Sequence, residues 1–379
     1  MKTIQKQTTY TIILLLSFLG LMIVSTNSMM LEAFLQYVSA RYALIIGPLV
    51  RLIPFSISEL SWIVCIIFVV FSLMKAIHFF RYRRWKKAFM TLHKMMNITF
   101  SLATLYIATT GLAYARDLPP IPQWNEHVNS TQYEPILLFF HEDFTDVATS
   151  LSFDDQGSVI NPYPFSELND LIQHQFSYLD DAYYYPFSTT LKPMLFSFLY
   201  AEFHITGIHN GLTTEALFNA NIPDALLPFT MAHELAHAKG VMREEDANLV
   251  AMYLCLTSED AYVRYSGYFY TFYAVLNLMR FVGDDQAYSR YYQALPVSIR
   301  NDYRYQTSFW GQYTLLNDIA TFINDVYLRI MGNEGVTSYV DAPQTGTIVE
   351  NGQTIEVITK FSPFQRLYFW LYYQSQPNP

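Results

Sequence analysis

The chain has 379 residues, 52% of them hydrophobic, and its mean hydropathy of +0.14 suits a membrane-attached protein better than a freely soluble enzyme. Its net charge of −9 hides a division: residues 1–115 hold 11 Lys/Arg and 2 Asp/Glu, whereas residues 116–379 hold 12 and 30. The acidic larger part repels polyphosphate backbones, which argues against nucleic acid as a partner, and two distant cysteines, Cys65 and Cys255, exclude a disulfide framework or a cysteine-type zinc site.

The first apolar run, Tyr10 to Val24, follows Lys2 and Lys6. Ser25-Thr26-Asn27-Ser28 behind it leaves a cleaved signal peptide open, but the apolar segments that follow favour a retained anchor over about residues 10–28. Residues 31–58 are interrupted by Gly47, Pro48, Arg51 and Pro54, and read as an interfacial or re-entrant piece or as a loop packed on the protein. A strong span covers 59–80, the basic cluster Arg81-Tyr82-Arg83-Arg84-Trp85-Lys86-Lys87 follows, and a third span is expected over 95–113. Positive residues stay inside, so Lys2, Lys6 and the 81–87 loop are cytoplasmic and everything from Arg116 onward lies outside. The expectation is a multi-pass protein of the cell membrane, in contact with lipid, with an extracytoplasmic domain over 116–379.

After the stiff exit Leu118-Pro119-Pro120-Ile121-Pro122, helices are expected over 134–151, 165–180 and 188–205, and a short strand from Thr213 to Asn219. A long aromatic helix over 258–282, helices at 286–294 and 309–331, and a β-hairpin turning at Asn351-Gly352 complete a mainly α fold with a small β component.

Chemistry concentrates in Thr230-Met231-Ala232-His233-Glu234-Leu235-Ala236-His237-Ala238-Lys239-Gly240. On a helix, residues four apart share a face, so His233 and His237 can offer two imidazoles to one metal, while Glu234 stands where a carboxylate can take a proton from an activated water. Gly240 can end the helix in a left-handed turn, and the acids Glu244, Glu245 and Asp246 suit the first turn of the next helix. Open zinc sites take three protein ligands. Glu244 is the expected third, with Asn248 on the same face to orient a ligand; Glu245 competes, because one residue of helix phase decides between them. Glu215, on the expected strand, either lines the cleft or packs the strand itself. An oxyanion-stabilising donor is required, for which His209 and Tyr339 are candidates.

The sequence resembles a family of bacterial membrane proteins catalogued as domain of unknown function 3810, placed by their motif with zincin-type peptidases. The resemblance runs through Pro54-Phe55-Ser56, Lys192-Pro193, Thr214-Glu215-Ala216 with Asn219, and Pro228-Phe229-Thr230 leading into the histidine motif. It continues in Gly240, Arg243-Glu244, Ala247-Asn248, Asn324-Asp325-Val326-Tyr327-Leu328-Arg329 and Gly335-Val336-Thr337-Ser338-Tyr339; the stretch after Asp341 looks like an insertion. Similarity to peptidases with a Glu-x-x-x-Asp second motif implies Glu244 as ligand and puts Asn248 where those proteins carry an Asp. The implied function is a zincin-like metallopeptidase domain, with Zn as cofactor and an unnamed peptide or protein substrate. The alternative is a non-catalytic, metal-stabilised envelope scaffold or binding protein. An intramembrane protease is disfavoured by the charges Lys239, Arg243, Glu244, Glu245 and Asp246 directly behind the motif.

Overall fold

In the computed structural model, which describes residues 2–179, 181–186, 191–314, 316–330, 343–350 and 353–376, the first 115 residues are almost wholly helical. Helix α1 (Lys2–Ser25) is followed by α2 (Ser28–Phe34), capped by the Asn27 side chain accepting from the Met30 amide; a π-helical turn over Leu35–Ser39 carries it unbroken into α3 (Ala40–Arg51). Helices α4 (Ile57–Arg81) and α5 (Trp85–Thr109) pack together across a short turn, and α5 also packs along α1. Polar side chains join these last two: the Thr11 hydroxyl donates to Asn97 Oδ1 at 2.8 Å, and the Tyr10 and Ser101 hydroxyls pair at 2.8 Å.

Three stretches, Gln5–Ser25, Ser28–Arg51 and Ile57–Arg81, are long and apolar enough to cross a membrane, and the last is the most apolar. Two details differ from expectation. The broken piece at 31–58 is helical as far as Arg51, because a helix satisfies its backbone internally and so accommodates Gly47 and Pro48 beside an apolar surface. The stretch 95–113 is helical to Thr109, but Lys94, Asn97, Thr99, Ser101 and Thr104 dilute its apolar character and it is not among the three.

The rest of the chain is helical around a small sheet. Helices α6 (Tyr133–Thr149) and α7 (Phe165–Gln175) precede β1 (Leu191–Pro193), α8 (Ser197–Glu202), β2 (Gly207–Asn210) and β3 (Glu215–Phe218). The sheet order is β1-β3-β2, with β1 parallel and β2 antiparallel to β3; Gly207 lies opposite Phe218 and Asn210 opposite Glu215. The helix expected over 188–205 is thus an edge strand and one short helix, and Pro193, which has no amide to donate, fits the strand edge.

Helices α9 (Leu227–Ala238), α10 (Glu244–Leu256) and α11 (Ala261–Thr271) form the centre. The single helix expected over 258–282 is divided into α11, α12 (Tyr273–Leu276) and α13 (Leu278–Phe281), with the Thr271 hydroxyl bonding back to the Gly267 carbonyl at 2.7 Å at the first break. Next come α14 (Asp285–Ala294), α15 (Val297–Trp310), α16 (Asn317–Ile330), the hairpin β4 (Gln344–Glu350) and β5 (Gln353–Lys360), and α17 (Pro363–Ser375). The hairpin matches expectation; its Asn351-Gly352 turn lies outside the described residues. Neither α17 nor the start of α15 was legible. Tyr368 and Phe369 of α17 are fully buried in the main core.

Helix α9 packs against β2, β3, α7, α10 and α11, and every residue of it except His233 is buried. That surrounds the histidine motif with rigid structure.

Candidate metal centre

Gly240 makes the site by ending α9. Its φ of +90° turns the chain back, its amide reaching the His237 carbonyl at 2.9 Å and that of Val241 the Ala236 carbonyl at 3.1 Å. A side chain there would also collide with the Tyr185 ring. The chain then enters α10 with Glu244, Glu245 and Asp246 in its first turn, where the helix dipole favours acids.

This return brings Glu244 onto the histidines. Glu244 Oε2 lies 3.1 Å from His233 Nε2 and 3.5 Å from His237 Nε2, and one ligand atom from each of the three residues lies within 4.8 Å of the others. Glu244 is buried and Glu245 exposed, so the helix phase selects the former. The opposite edges of both rings are engaged: His233 Nδ1 sits 2.8 Å from Asn248 Oδ1, and His237 Nδ1 2.7 Å from the Val241 carbonyl. With both Nδ1 atoms donating, a neutral ring presents a lone pair at Nε2. Two lone pairs and a carboxylate oxygen meeting at one point repel unless a cation stands between them. A proton on His237 answers the same repulsion: burial alone would raise the Glu244 carboxyl and lower His237, yet their mutual attraction holds Glu244 well below the usual carboxylate range and pushes His237 up to about 9, and a divalent cation would take that proton's place. The donor set therefore fits a divalent metal of the zinc type.

Glu234 points elsewhere. It is buried, its Oε2 has no hydrogen-bond partner among the described residues, and burial, opposed by His237 and reinforced by Glu244, raises its pKa to about 8. Its room is made by Gly207 on β2, where an added Cβ would stand 2.3 Å from Glu234 Oε1. Nothing in the sequence around Gly207 signalled this approach, which arises between elements far apart in the chain.

His209, two residues along β2, is held neutral with its pKa lowered to about 3 by burial and then by His237; the two rings are 6.3 Å apart and His209 Nδ1 is buried without a partner among the described residues. Tyr339 lies outside the described residues. Sequence reasoning missed Tyr270, which is partly exposed, stacks on Phe229 at 3.9 Å, and has its hydroxyl pushed up to about 12 by local desolvation and by the charge of Glu244.

Glu215 is not brought to the cleft. It is fully buried on β3, and its carboxylate accepts from the amides of Ile57 and Ser58 at 3.1 and 2.6 Å and from Lys192 Nζ at 2.8 Å. Lys192 also donates to the Val50 and Phe55 carbonyls. The pair ties the sheet to the turn between α3 and α4, joining in space segments that the sequence resemblance had picked out singly.

A family model described as Protein of unknown function (DUF3810) matches residues 35–344. The chain belongs to this family. The matched region takes in α3 to α5, the sheet and every residue of the centre, and stops at the start of β4; α1, the rest of the hairpin and α17 lie outside it. No curated protein matches the chain, and no solved structure does. Within this family member, His233→Ala and His237→Ala are each expected to abolish stoichiometric zinc binding, as read by metal content after dialysis. Glu244→Ala should weaken binding and Glu245→Ala leave it nearly intact; the reverse order for the two acids would overturn the ligand assignment.

Proposed function

We propose that this protein is a membrane-anchored, zinc-dependent metallopeptidase that hydrolyses peptide bonds at the outer face of the membrane. One arrangement carries the reading: His233, His237 and Glu244 converge on a point beside Glu234, whose buried Oε2 has no partner among the described residues. A purely structural zinc site closes its coordination with protein ligands and has no use for a fourth, uncommitted carboxylate.

Zinc bound there supplies Lewis acidity toward a carbonyl oxygen and a water. The chain does the rest. Asn248 and the Val241 carbonyl fix both rings in one tautomer and orientation. Glu234 takes a proton from the attacking water and returns it to the leaving amine, a role left open to it because no other group among the described residues engages its Oε2. Tyr270 and His209 are the neutral polar groups beside the centre from which a donor to the developing oxyanion is drawn. Strand β2 is an edge of its sheet and carries Gly207 against Glu234, so an extended peptide added to that edge runs past the base. The test is hydrolysis of a peptide library by the full-length, zinc-loaded protein in nanodiscs, beside Glu234→Gln; equal turnover by both would sink the reading.

The outward orientation rests on the basic 81–87 loop and the acidic remainder, and it requires α5, less apolar than the three stretches above but packed along α1 and α4, to cross with them. Reporter fusions after Lys87 and after Pro122 are expected on opposite sides of the membrane. The same side for both would overturn the orientation.

A further inference from the structure

Four large apolar side chains in a row of five residues, Leu195, Phe196, Phe198 and Leu199, are exposed on the loop after β1 and on α8, with Phe198 at 68%. Such a contiguous apolar patch on an otherwise acidic domain marks a contact surface. Its position says what covers it. The amides of Leu195 and Phe196 donate to the Glu59 carboxylate at 2.8 and 3.0 Å, and Glu59 is the buried acid in the first turn of α4, the most apolar helix of the chain. One turn further on, Trp62 is exposed, as are most of the apolar residues that follow it along α4. The patch is thus continuous with the outer surface of a helix fit to cross a membrane, at the end where an interfacial Trp belongs.

The same joint fixes the cleft. Glu215 caps the start of α4, and the Asn210 amide donates to Ser58 Oγ at 2.7 Å. Asn210 is three residues along β2 from Gly207, against which Glu234 lies, a path of about 10 Å at the rise of a strand.

We propose that the Leu195–Leu199 segment lies in the bilayer beside the start of α4, docking the domain on lipid and holding the cleft at the membrane surface, so that the substrates are membrane-bound polypeptides cut next to the bilayer. The lipid contact stands without the peptidase reading; the substrate class rests on it.

The test uses the full-length chain with Cys65→Ala, in phosphatidylcholine/phosphatidylglycerol nanodiscs, labelled with an environment-sensitive fluorophore at Phe198→Cys or Leu199→Cys. Asp155→Cys, at an exposed acid, is the aqueous reference and Ile66→Cys, on the exposed face of α4, the lipid reference. Labels at 198 and 199 are expected to be blue-shifted, shielded from iodide and quenched several-fold more by headgroup-region spin-labelled lipid than the label at 155. Iodide access equal to that at position 155 would overturn the lipid contact. In a second arm one peptide is offered free and joined by spacers of increasing length to a transmembrane helix. Cuts are expected to stay within about three to five extended residues of the helix end. Cuts spread along the spacer, or equal hydrolysis of the free peptide, would overturn the substrate class. Hydrolysis of neither form by the metal-loaded protein would remove the peptidase reading, and with it the substrate class, while the fluorescence decides the lipid contact.

Discussion

Replacing Glu234 by Gln is expected to leave zinc content unchanged and to lower peptide hydrolysis by about 10²–10⁴, the range for loss of a general base. Gln keeps the shape of the side chain, and the metal-directed atoms all belong to His233, His237 and Glu244, so binding has no reason to fall. What disappears is the carboxylate at the centre whose Oε2 has no hydrogen-bond partner among the described residues. Gly207→Ala should reach the same result by another route. Its Cβ would occupy the place of Glu234 Oε1, displacing the base while the ligands on α9 and α10 keep their supports. Reduced kcat with full zinc content checks it. Full activity of Glu234→Gln with zinc retained would assign the centre a structural role and favour the metal-stabilised scaffold.

The second large effect is on stability and comes from the joint between the sheet and the apolar helices α3 and α4. Lys192→Met should cost about 3–5 kcal/mol, because it strands the fully buried Glu215 carboxylate with only backbone amides for company. Adding Glu215→Gln to that variant should recover part of the loss, since a neutral amide next to Met leaves no unpaired charge in the interior. Thermal unfolding of the detergent-solubilised chain, read for both single variants and the double one, measures the coupling. Additive losses would show that the ion pair contributes nothing beyond its two separate cappings of α3 and α4.

Local pattern was enough for some features. Histidines four apart on a sequence of good helix formers can only share a helix face, so the pairing of His233 with His237 was readable before any coordinates. Uninterrupted apolar runs likewise announced α1 and α4, since the bilayer-length helix is a property of a single segment. The Asn351-Gly352 signal between β-rich runs was sufficient for the hairpin of β4 and β5.

Other features depended on how distant segments meet. Glu244 prevailed over Glu245 because the left-handed Gly240 set the angle at which α10 returns, and one residue of phase is about 100° of helix rotation. Glu215 packs into the α3–α4 turn because its strand is the middle one of the sheet, where a buried carboxylate must find donors and the nearest were Lys192 and the first amides of α4. Gly207, Tyr270 and the exposed 195–199 segment carry no motif at all. Their roles arise from packing between elements. A sequence read alone determines which residues lie on one face of one element; which faces meet, and which buried polar group answers which, is decided only when the tertiary structure closes around them.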